Sequence, residues 1–224
     1  MTELGYFLGD LKAQLFQGKP TDKVAFAQKY FENCQPGLHV IGMPYNYITE
    51  CNYNRRAFVA IMIQSFSGFE DLYDITSNDF FFLVETLSPG FPKSLILEVS
   101  QSLQRSNTHD GGETKHQFKN ISIGLYCYLI YEDWLRLVTE YFVEESSGTC
   151  LNALKLKSKL EDFHCSISPT LSQPPLEAIH TMLDSIHSSP TGISSYQLEI
   201  SLEQFRKAFY SSEVIRNTVL QQCC

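Results

Sequence analysis

Apolar residues in the first thirty-odd positions recur at spacings of three and four. Leu4, Phe7, Leu8, Leu11 and Leu15 fall on one stripe of a helix, and after Gln17-Gly18-Lys19-Pro20 a second stripe follows at Val24, Ala27, Tyr30, Phe31 and Cys34, with Phe26 beside it. Gly18 suits a left-handed helix end, Pro20 the first turn of the next helix, and Asp22 places a negative charge near the new N-terminus. So tight a turn predicts two antiparallel helices with more apolar surface than a lone hairpin can hide. The hairpin therefore needs cover, either from the rest of its own chain or from another molecule.

Residues 35–51, punctuated by Pro36, Gly37, Gly42 and Pro44, read as an irregular connection. A helix with a nearly all-apolar middle is expected over 55–66, and another over 80–87, where Thr76 or Ser77 supplies an N-cap and Asp79 lies in the first turn. Pro89-Gly90 stops that helix, and Pro92 opens one reaching residue 104 with Leu95, Ile96, Val99 and Leu103 on its apolar face. A polar loop is expected over 105–120, then helices over 121–145 and 150–163, and a proline-marked linker over 166–175. The chain should close with a helix over 176–186, a brief strand over 196–200, and a final helix opened by a Ser201/Gln204 capping box and carrying Phe205, Ala208, Phe209, Val214 and Ile215. The pattern predicts an all-α fold in three regions: a hairpin over 1–36, a helical pair over 50–146 and a helical region over 150–224.

One motif recurs. An isolated isoleucine, a hydroxyl and then an aromatic-bearing helix occur as Ile75-Thr76-x-x-Asp79-Phe80, Ile121-Ser122-x-x-Leu125-Tyr126 and Ile200-Ser201-x-x-Gln204-Phe205. This resembles EF-hands, in which the isoleucine pairs with that of a neighbouring hand. The calcium chemistry is missing. Counting back from Ile75 puts Gly68, Glu70, Leu72, Tyr73 and Asp79 where oxygen ligands and a turn glycine belong, while the loops before Ile121 and Ile200 offer Thr114, His116 and Phe118, and Ile193, Ser195 and Gln197. The expectation is a set of degenerate, calcium-free EF-hand-like pairs; unrelated helix hairpins would give the same pattern. No metal and no cofactor are expected.

With 224 residues, 43% hydrophobic and 13% aromatic, the chain can bury a real core. A formal charge of −8 without a basic block argues against nucleic acid, anionic lipid or acidic protein tails as direct partners. The start lacks a basic lead and Asp10 interrupts its apolar run, and the apolar runs 57–63 and 121–131 are too short for a bilayer, so a cytoplasmic protein is expected. Seven scattered cysteines do not make a disulfide framework. Cys223-Cys224 would allow lipidation and membrane anchoring; a tail with two reduced thiols is the simpler reading.

Catalytic patterns are absent: no Gly-x-Ser-x-Gly, no His-Glu-x-x-His and no phosphate-binding glycine loop. His164-Cys165 lacks a third orienting group, and His180 and His187 are spaced for neither a metal pair nor a closed zinc site. A non-enzyme is expected, with a cysteine-dependent hydrolase as the alternative; that would require one thiol to react much faster than the others.

Leu8, Leu11 and Leu15, Lys19-Pro20-Thr21-Asp22, Val24-Ala25-Phe26-Ala27 and Tyr30-Phe31 together resemble the dimerization and docking hairpin of type II regulatory subunits of cAMP-dependent protein kinase. That resemblance implies a four-helix bundle of two hairpins, homodimeric or heterodimeric, whose groove takes an amphipathic helix. Leu4, Leu8, Leu11, Leu15, Val24, Ala27, Tyr30 and Phe31 would carry the contact. The run from Lys23 to Asn33, Asn54-Arg55-Arg56-Ala57-Phe58, Gly90-Phe91-Pro92 and the aromatic-rich segment 125–142 are similar to the regulatory subunits of the tubulin polyglutamylase complex, including a centriolar-satellite regulator. This implies a non-catalytic adaptor at the cytoskeleton, centrosome or cilium. The other candidate is a calcium-independent EF-hand-like binding module of an axonemal or signalling assembly.

Overall fold

A computed structural model describes residues 3–34, 37–69, 74–103, 115–145, 150–166, 172–187 and 199–223. Among the described residues the fold is all-α with two minimal strand pairs. Helices α1 (Glu3–Gly18) and α2 (Lys23–Cys34) pack against each other. Between them the left-handed position falls on Lys19 (φ 40°) rather than on Gly18, a modest backbone cost that the Lys19 N–H to Leu15 carbonyl bond (3.2 Å) helps hold. Asp22, expected as a negative charge near the N-terminus of α2, also caps it, its Oδ1 accepting from Val24 and Ala25 N–H at 3.0 Å each.

The segment expected to be irregular holds a short 3-10 turn (Leu38–Val40) and a one-turn helix, α3 (Tyr45–Thr49), which Pro44 precedes. Then come α4 (Asn52–Phe66), β1 (Asp74–Thr76), α5 (Ser77–Leu87), α6 (Lys93–Leu103), β2 (Lys115–Gln117), α7 (Phe118–Glu145), β3 (Cys150–Asn152), α8 (Ala153–Ser166), α9 (Leu176–His187), β4 (Glu199–Ser201), α10 (Leu202–Ser211) and α11 (Glu213–Cys223). Thr76 Oγ1 caps α5 through Asp79 N–H (3.2 Å), and Ser201 with Gln204 forms the expected capping box on α10.

β1 pairs antiparallel with β2, Ile75 facing His116, and β3 pairs with β4, Leu151 facing Ile200. Three expectations are corrected by these elements. Ile121 is not the strand residue of its unit: it lies buried within α7, and the strand sits five residues earlier, centred on a polar residue. The helix expected from residue 150 begins at Ala153, because its first three residues are β3; they belong to a fourth strand-bearing unit that the recurrence had hidden. The final helix is also two, separated at Ser212. The expected ligand positions Glu70, Leu72, Tyr73, Thr114, Ile193, Ser195 and Gln197 lie outside the described residues.

One continuous core runs from Val40 to Val219 and includes residues of both regions expected after the hairpin. α7, twenty-eight residues long, bends at Tyr131 (φ −111°, ψ 18°) and sits between the two strand pairs in sequence. Its Gly124 lets α6 approach: a Cβ there would lie 2.7 Å from Val99 Cγ1 and 3.3 Å from Leu103 Cδ1. Val99 is fully buried and cannot swing aside. Gly124→Ala should therefore lose about 1–3 kcal/mol in urea unfolding despite alanine's better helix propensity.

His116 is buried, its Nε2 2.7 Å from Ser100 Oγ, which lies 2.7 Å from Ser77 Oγ. Burial holds His116 below its ordinary 6.5, with the nearby Asp74 charge opposing, and burial lowers His39 likewise. The unfolded chain then takes up protons near pH 6.5 before the fold does, so stability is complete above that pH and falls as pH drops through the lowered folded values. Glu132, raised above 4.5 by burial, works the other way at lower pH. Tm should decline from pH 7.5 to 5.5, and His116→Asn should shrink that decline; a pH-independent Tm across the window would contradict this.

Candidate docking groove

The hairpin meets the body through one polar knot. Asp10 Oδ2 accepts from Gln14 Nε2 (3.0 Å), Tyr30 OH (2.6 Å) and Tyr47 OH (3.0 Å), so one carboxylate links α1, α2 and α3. Tyr53 OH donates to the Cys34 carbonyl (2.7 Å), tying α4 to the end of α2. Asn54 Nδ2 donates to the Tyr47 carbonyl (2.8 Å), which leaves its Oδ1 to accept from His39 Nε2 (2.9 Å). His39 Nδ1 is then an acceptor with no hydrogen-bond partner among the described residues.

Around this knot sits a small second core of Phe7, Leu11, Tyr30 and Cys34, with Leu15, Phe26, Ala27 and Tyr53 packed against it. Phe7 meets Tyr53 and His39 edge-on, with centroids 4.9 and 5.7 Å apart. Burial, followed by the bond to Asp10, pushes the Tyr30 hydroxyl far above its usual range, so it stays a donor at any physiological pH. Burial also raises the Cys34 thiol, which therefore packs as a small hydrophobe.

The other faces of the hairpin are open. Phe16 is 71% exposed, Val24 79%, Leu8 52% and Phe31 38%. Val24 and Phe31, seven residues apart, share one stripe of α2. Between the hairpin and the 3-10/α3 segment lies a cleft of ≈ 950 Å³. Ala13, Phe26, Leu38 and Met43 contribute apolar lining, and Asp10 and Lys29 opposite charges. Apolar surface of this kind, rimmed by polar groups, is where proteins and ligands dock.

The expected contact residues divide three ways. Leu8, Val24 and Phe31 are exposed; Leu11 and Tyr30 are buried in the small core; Leu15 and Ala27 are partly buried against it. Leu4 lies in α1, but its side chain is outside the described residues. Tyr47, Tyr53, Asn54 and His39 escaped sequence reasoning. Asp10 did leave a signal, a charge set into an apolar stripe three residues after Phe7.

Cys165 is exposed, and its neighbour His164 accepts through its carbonyl from Gln173 Nε2 (3.3 Å); His180 Nε2 lies 3.0 Å from Glu161 Oε1. The Ser77–Ser100–His116 chain places hydroxyls beside an imidazole but is buried throughout, so no substrate reaches it. Among the described residues no group of three or more His, Cys, Asp or Glu side chains could hold a metal, and no helix is long and apolar enough to cross a membrane.

No family model, curated protein or solved structure matches this chain.

Proposed function

We propose that this chain is a non-catalytic adaptor that self-associates and docks partner helices through its N-terminal hairpin, within a tubulin polyglutamylase or other ciliary or centrosomal microtubule complex. The observation that carries the docking role is the apolar surface left open beside the cleft, led by Phe16 and Val24. The hairpin's own small core and its polar knot cover one side of each helix and leave the other to solvent. Charge supports the same role. Residues 1–34 hold Lys12, Lys19, Lys23 and Lys29 against Glu3, Asp10, Asp22 and Glu32, so the net −8 resides in the rest of the chain and does not repel two hairpins from each other. The assignment to a microtubule-modifying complex rests on the residue resemblance alone.

Light scattering tests self-association. The wild type should run above its 25.6 kDa monomer mass, and Val24→Asp with Phe31→Asp should return it to that mass with its circular dichroism unchanged, since both side chains are exposed. A wild type that stays monomeric at tens of micromolar would refute it. Leu11→Asp is unsuitable, because Leu11 belongs to the hairpin's internal core and its loss would unfold the hairpin itself.

The two strand pairs favour a second reading, an EF-hand-like binding module that works without calcium. Its surface would be the flanking helices rather than the hairpin, and the dimer-breaking variants would then retain every partner.

A further inference from the structure

The docking role proposed above leaves the partner's chemistry open, and Asp10 narrows it. This half-buried carboxylate lines the cleft. Its Oδ2 is saturated by three donors, from Gln14, Tyr30 and Tyr47, whereas no donor from the described residues reaches Oδ1. Nor does a described cation come within ion-pair distance, although Lys29 lines the same cleft. While the cleft is open, water serves Oδ1. A helix laid across Ala13, Phe26, Leu38 and Met43 displaces that water, and a carboxylate covered by hydrocarbon without a new partner carries an uncompensated desolvation penalty.

We propose that the cleft selects an amphipathic helix bearing a single arginine or lysine inside its apolar stripe, the cation pairing with Asp10 Oδ1. Leucine-type side chains on either side of that residue would fill the apolar lining. Lys29 opposes a second cation in the cleft, so the cleft discriminates a lone charge at one helical position from a polybasic segment. Tyr30 and Tyr47, held as donors to the other oxygen, fix the carboxylate's orientation and make it a specificity device rather than a mobile surface acid.

The test uses the full chain as bait for a phage library of amphipathic helices randomised on one face. Enriched clones should carry one Arg or Lys within the apolar stripe. Changing that cation to methionine in the synthetic peptide, which preserves volume, should weaken binding by roughly 30-fold or more, the loss expected on truncating a desolvated charge pair. Against Asp10→Asn the two peptides should bind alike. The peptide comparison on wild-type protein stands even if that variant fails to fold. Enriched helices without a basic residue, or equal binding of the Arg and Met peptides, would overturn the charge selection and leave the docking role intact. No enrichment of any helix would overturn the docking role and this inference with it.

Discussion

Trp134→Ala should lose about 3–5 kcal/mol of unfolding free energy, the range for truncating a large buried aromatic. Trp134 is fully buried, stacked on Phe209 with centroids 5.6 Å apart and tilted against Phe205 at 6.1 Å, so its removal opens a void where α7 meets α10. Trp134→Phe should lose less than half as much. The indole Nε1 has no hydrogen-bond partner among the described residues, so phenylalanine forfeits only volume and ring overlap. Urea unfolding followed by circular dichroism reads both variants, since the only tryptophan is the residue replaced. Equal losses would mean that the nitrogen has a partner after all.

Arg55→Ala should lose about 3 kcal/mol, the lower end of the range for breaking a buried ion pair. Arg55 is 5% exposed; its Nη1 donates to Asp133 Oδ2 (2.6 Å), its Nη2 to the Thr49 carbonyl (2.8 Å), and its Nε lies 3.6 Å from Glu132 Oε2. Tyr45 OH reaches the other oxygen of Glu132 (2.9 Å), so the guanidinium and the phenol together join α3 and α4 to α7 just past its bend. Burial already holds the Glu132 carboxyl above its usual range, and without Arg55 it keeps the Tyr45 phenol and the more distant charge of Arg136 against that penalty. Asp133 retains 27% side-chain exposure, which softens the loss. Adding Glu132→Gln and Asp133→Asn to Arg55→Ala should recover part of the stability in tryptophan-monitored urea unfolding. A loss below about 1 kcal/mol for the single change would place the cluster in the class of surface pairs.

The fold class was legible because the helices announce themselves locally. Leu95, Ile96, Val99 and Leu103 mark α6 by spacing alone, and Ser201 with Gln204 marks the start of α10 by capping chemistry. The strand units were legible only where the central residue was isoleucine. His116 fills that place in one unit because Ser100 satisfies its ring from the neighbouring helix, a contact across sixteen residues that no local pattern encodes. Leu151 fills it in another, but its spacing to Leu154 also fits a helix, and the helical period concealed the strand. The hairpin's two stripes were legible as apolar; which part faces inward was not. That division follows from Asp10 meeting Tyr30 and Tyr47, twenty and thirty-seven residues away, and such bonds form only once the chain is folded.

Because α7 follows β2 directly and packs against α4 and α6 before it in sequence and α10 and α11 after it, neither half of the body can be shed, copied or transplanted without robbing the other of a helix. Arg206 on α10, 3.4 Å from Glu98 on α6, adds a clasp from the far side. The body is an indivisible chassis, so the N-terminal pair, with its separate small core, is the part of the fold with the freest ground for evolutionary change.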